Sequence, residues 1–101
     1  MKKYKVLLTH EARQDLKNIS FYISDVLKAP LTSKKYAKGL VNVINQLSSV
    51  ALSLPSVQLT QLLQYGKNAR RINYKKHAVI YTVQQEIVII QRIIISSLIK
   101  E

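Results

Sequence analysis

The chain has no cysteine, which excludes a disulfide framework and any thiolate-held metal. Glycine and proline each occur only twice, too few for a fibrous or disordered chain when 48% of residues are hydrophobic. They also leave no Gly-rich loop to cradle a nucleotide phosphate. Two histidines and five acids lie scattered without ligand spacing, so no metal or other cofactor is expected. No apolar run is long enough to span a bilayer. Charged residues follow Lys2 and Lys3 too soon for a secretory leader. These absences point to one soluble, cytoplasmic domain over residues 1–101, with room for a single modest core.

Negative charge is scarce as well. Sixteen Lys and Arg against five Asp and Glu give a net charge of +11. Between Asp25 and Glu86 there is no acid at all, while Lys28, Lys34, Lys35, Lys38, Lys67, Arg70, Arg71, Lys75 and Lys76 all fall there. Such a surface attracts polyanions: nucleic acid, an acidic protein or anionic lipid. Composition does not choose among them.

What is present is organised around Ala78 to Ile95. Two apolar runs rich in β-branched residues flank Gln84, Gln85 and Glu86, the pattern of an antiparallel hairpin. Its turn chemistry is weak, with no Gly or Asn to accept a positive φ. The second run is nearly continuous, as expected of a strand buried on both faces or central in a sheet. Arg92 breaks that run. Its guanidinium must find an acid, gather carbonyls or open onto an anion site.

Upstream, Tyr4 to Thr9 reads as a short strand with Tyr4, Val6 and Leu8 on one face. Thr9 stands as N-cap to a helix whose stripe is Ala12, Leu16, Ile19, Ile23 and Leu27, ending near Lys28. Thr32 or Ser33 can cap a second helix with the stripe Ala37, Leu40, Ile44, Leu47, Ala51 and Leu54, stopped by Pro55. Gly39 would let the first helix approach closely. Residues 56–68 read as loop. From Ala69 to Lys75, alternation sets Arg70, Ile72 and Tyr74 toward the helices and Arg71, Asn73 and Lys75 outward. The order β-α-α-β-β-β predicts an α+β fold: a mostly antiparallel sheet with a two-helix hairpin packed on one face and the other face partly open. Arg70, Arg71, Asn73, Lys75, Lys76 and Arg92 are the candidate polyanion- or target-binding residues.

Three segments, YKVLLTHEARQDLKNISFYI, a second helix ending LSLP, and GKNARRINYKKHAVIYTVQQEIVIIQRI, together resemble the RelE/ParE superfamily of bacterial type II toxins. The match is carried by Ala12, Asp15, Leu16, Ile19, Tyr22 and Ile23, by Arg71 to Val83, and by the closing strand. The resemblance implies a toxin silenced by a cognate antitoxin with an acidic segment. It implies one of two targets: the ribosome and its mRNA, cut without metal, or DNA gyrase, poisoned by binding alone.

For the nuclease branch the candidates are Arg71, Arg92, His77 and Tyr81, with Lys75 in support. Arg71 falls where that family places a basic residue. Ala78 stands where nuclease members have Arg, Ile95 where many have His, and Ser96 and Ser97 replace basic residues. These departures, and the long helical pair, bring the chain closer to the ParE branch. A toxin fold retained only for partner binding is the third possibility.

Overall fold

The computed structural model describes residues 3–50 and 69–99. The expected loop at 56–68, and Ala51, Leu54 and Pro55, lie outside these residues. Strand β1 (Lys5–Leu8) leads into helix α1 (His10–Phe21), a π-helical turn (Tyr22–Val26) and helix α2 (Pro30–Val50). Strands β2 (Arg70–Tyr74), β3 (His77–Gln84) and β4 (Ile87–Ile95) follow, then a short 3₁₀ turn at Ser96–Leu98. The order is the α+β arrangement read from the sequence.

The four strands form one sheet in the order β1-β4-β3-β2. β4 runs parallel to β1 and antiparallel to β3, and β2 is antiparallel to β3. The continuous apolar run therefore belongs to an interior strand. Its hairpin partner is joined by Gln85 and Glu86, and Gln85 itself takes the positive φ, 56°. A first loop residue at φ > 0 suits the twist of a two-residue hairpin, so a glutamine here accepts a conformation usually left to Gly or Asn.

Thr9 caps α1 as its position suggested, its Oγ1 accepting from Ala12 N–H at 3.0 Å. The stripe then drifts. In the π turn hydrogen bonds span five residues rather than four, so the face carrying Ile23 no longer returns at Leu27, which is exposed. Lys28 reverses the chain at φ 55°. The second helix starts earlier than its polar residues suggested: Pro30 occupies the first turn, where its missing N–H costs nothing. Ser33 lies inside the helix, buried, and its hydroxyl donates to the Ser20 carbonyl at 2.8 Å. It fastens α2 to the end of α1 instead of capping.

The main core lies between helices and sheet: Ala12, Leu40, Ile44 and Leu47 against Val79, Tyr81, Val88, Ile90 and Ile93. Gly39 serves a different neighbour from the one anticipated. A Cβ there would overlap the Tyr74 ring at Oη, Cζ and Cε1, so this glycine admits β2, not α1. The opposite sheet face is less open than its polar residues implied. Ala78 and Ile80 are fully buried there in a second cluster with Ala69 and Ile99, and Ile94 packs against it.

Candidate functional site

Arg92 owes its position to a β-bulge. Ile80 pairs with Arg92 but Tyr81 pairs with Ile90, leaving Gln91 unopposed. One extra residue shifts the side-chain phase. Val88 and Ile90 face the helices by alternation, and Ile93 joins them only because of the shift.

The bulge is clamped from α1. Thr9 Oγ1 donates to the Gln91 carbonyl at 2.9 Å. Asp15 accepts from Arg92 Nε at 2.7 Å, from Arg92 Nη2 at 3.0 Å and from the Ile93 N–H at 2.9 Å. Of the fates open to Arg92, the fold uses an acid, held in the two-pronged geometry that favours arginine.

The remaining candidates spread over several places. Arg70 pairs across β2–β3 with Tyr81, on the helix side, while Arg71 and Asn73 pair with Ile80 and Ala78 on the other face. Lys75 does not project from that outer face. With Lys76 it forms the two-residue β2–β3 loop, at φ 52°. Its ammonium sits 5.8 Å from the centre of the Tyr36 ring and 5.5 Å from that of Tyr74, a cation–π arrangement. The six cationic and polar candidates thus form no single concave face.

His77 opens β3, its Nδ1 2.6 Å from Tyr36 Oη on α2, and with a neutral ring the phenol donates. Burial pushes the His77 pKa below 6.5 and raises that of Tyr36. Tyr36 also meets Tyr74 edge to face at 5.1 Å. Tyr81 is fully buried, and desolvation pushes its hydroxyl up to about 12, with Arg70 pulling the other way. A proton held that tightly is a poor acid or base near neutrality. Tyr36 escaped the sequence reading, since a tyrosine between lysines on a helix carries no signal until its neighbour is known.

The depressed His77 pKa gives a pH dependence. As pH falls through about 6.5, the unfolded chain binds a proton that the folded chain refuses, so stability drops. Urea midpoints should fall between pH 7.5 and pH 5.5, and fall less in His77→Gln. An equal drop in both proteins would place the effect elsewhere.

Beside His77 lies a groove of about 370 Å³. Ile19, Tyr22 and Ile23 form one wall and Ile93, Ile95 and Leu98 the other. Tyr22, Ile95 and Leu98 are exposed. Apolar surface rimmed by polar groups marks a place where another molecule packs. Among the described residues no group of three His or acidic side chains could hold a metal, and no helix is long and apolar enough to cross a membrane.

Comparison with known proteins fits this architecture. A solved structure described as the chromosomal ParDE TA system from P. aeruginosa superposes with a TM-score of 0.75 at 18% identity, over 94% of this chain and 98% of that one. At that identity the likeness speaks for the fold. No curated protein sequence matches significantly. A family model for the ParE toxin of the type II toxin–antitoxin system, parDE, matches residues 6–97. With nearly the whole chain covered, this protein belongs to the ParE toxin family of type II toxin–antitoxin systems.

Proposed function

We propose that this chain inhibits growth by occupying a protein target, DNA gyrase, and that a cognate antitoxin with an acidic segment holds it inactive. The carrying observation is the Asp15–Arg92 clamp. Arg92, one of the cations the sequence offers for neutralising a scissile phosphate, is engaged by the fold's own carboxylate. The other nuclease candidates point the same way: His77 is engaged by Tyr36, Tyr81 is buried, and Arg71 stands on a different face from Tyr81. Positioned acid–base groups and free cations are what a metal-free ribonuclease needs. An exposed apolar groove on a chain of net charge +11 suits a protein that works by binding.

The test is controlled expression with DNA synthesis and translation pulse-labelled separately. Gyrase poisoning gives early loss of DNA synthesis with double-strand breaks. Early loss of translation with cut mRNA would overturn the proposal for the nuclease alternative. Undisturbed growth would leave a toxin fold that only binds a partner.

Arg71→Ala should reduce toxicity more than Lys5→Ala, scored by survival at matched expression. If both variants match the unaltered toxin, Arg71 has no part in the target surface.

A further inference from the structure

The described residues bring four lysines to one end of the molecule. Gly39 lies against Tyr74 and Tyr36 against His77, so the first turns of α2 sit on the β2–β3 loop. Lys35 and Lys38, both exposed, belong to those same turns, and exposed Lys75 and Lys76 form the loop. α2, β2 and the loop between β2 and β3 contain no acid. The Lys75 ammonium is held over two tyrosine rings, and its residue keeps a left-handed backbone that a lysine rarely adopts.

We infer that this end of the molecule grips the phosphate backbone of duplex DNA. A protein partner is a poorer fit, because the fully buried centres of protein interfaces are depleted in lysine and rely on apolar or aromatic anchors. Here the two tyrosines are engaged with each other and with Lys75. A single strand is a poorer fit too, since it draws affinity from bases stacked on free ring faces. A duplex backbone asks only for positive charge at several points. The choice of DNA over other duplexes rests on the gyrase reading; the cationic surface does not.

The test is fluorescence anisotropy of the full chain with a short labelled DNA duplex of mixed sequence, from about 50 to about 200 mM salt. Four phosphate contacts give a log–log salt slope near −3.6 at about −0.9 per contact. Lys35→Glu with Lys76→Glu should weaken binding by at least about tenfold and flatten the slope by about two. The control pair, Lys5→Glu with Lys17→Glu, carries the same charge change. Lys5 N–H bonds the Glu86 carbonyl at 2.9 Å, so it lies at the opposite hairpin end, and Lys17 stands on α1 beside His10 and Arg13; this pair should bind much more like the unaltered protein.

Equal losses in both pairs would reduce the effect to diffuse charge and overturn the inference. So would failure of the unaltered protein to bind the duplex, or displacement of the duplex by an acidic peptide at matched charge. Supercoiling assays on the same proteins separate the two claims. Gyrase inhibition by a chain that ignores free duplex removes the DNA contact and leaves the gyrase reading standing. Duplex binding without gyrase inhibition does the reverse.

Discussion

Asp15→Ala should destabilise this protein by about 2–3 kcal/mol, an effect far larger than a surface ion pair would give. Exposed pairs contribute roughly 0–1 kcal/mol, and breaking a fully buried one costs about 3–5 kcal/mol. The Asp15 side chain is 13% exposed and that of Arg92 38%, which places the pair between these limits. Alanine also leaves the Ile93 N–H without its acceptor, at a further charge-assisted hydrogen bond's expense. In a domain of this size such a loss lowers Tm by roughly 10–15 °C. Asp15→Asn should cost less, because an amide oxygen can still accept from the backbone. Arg92→Lys should fall between wild type and Asp15→Ala, retaining charge but losing the fork. Urea unfolding of the three variants decides it. A value for Asp15→Ala within about 0.5 kcal/mol of wild type would show that the clamp carries no weight.

The second large effect is at Gly39. Alanine in a helix interior is normally worth about 1 kcal/mol over glycine, so Gly39→Ala would stabilise an ordinary exposed position. Here the new methyl overlaps the Tyr74 ring at three atoms. The ring is confined, with Tyr36 edge-on at 5.1 Å and the Lys75 ammonium above it. Overpacking costs about 1–3 kcal/mol, and because a rigid ring must move as one body we expect a net loss of about 1–2 kcal/mol. The sign should reverse in a Tyr74→Leu background, where the space is free and helix propensity alone remains. Such non-additivity is what contact predicts. If Gly39→Ala stabilises both backgrounds equally, Tyr74 does not fill the gap beneath Gly39.

The contrast between these two residues shows how far the sequence could be read. Asp15 sits on a helix whose stripe was plain from Ala12, Leu16 and Ile19, and Arg92 stood out in an apolar strand. Each was visible; the bond between them was not. It joins residues 77 apart in sequence through a bulge that no local pattern announces, because Gln91 is an unremarkable strand residue until its unopposed place in the pairing is known. The same limit placed Lys75 on an outward strand face. Alternation assumes that the strand continues, whereas the chain turns at Tyr74 and the lysine folds back over the tyrosines. Leu27 continues the apolar stripe only if ordinary helical spacing persists, and the turn at Tyr22–Val26 bonds with a longer period.

By itself, the sequence determined the order of elements, the apolar face of α1 as far as Ile23 and that of α2 from Leu40 to Leu47, the central place of the last strand and the excess of positive charge. All of these follow from periodicity and composition, which act over a few residues or over the whole chain. Only the tertiary structure decided which acid meets Arg92, which residue needs Gly39 to be small, and which lysines share one end of the molecule. Those depend on register and on contacts between distant segments, where a shift of one residue turns a side chain to the opposite face.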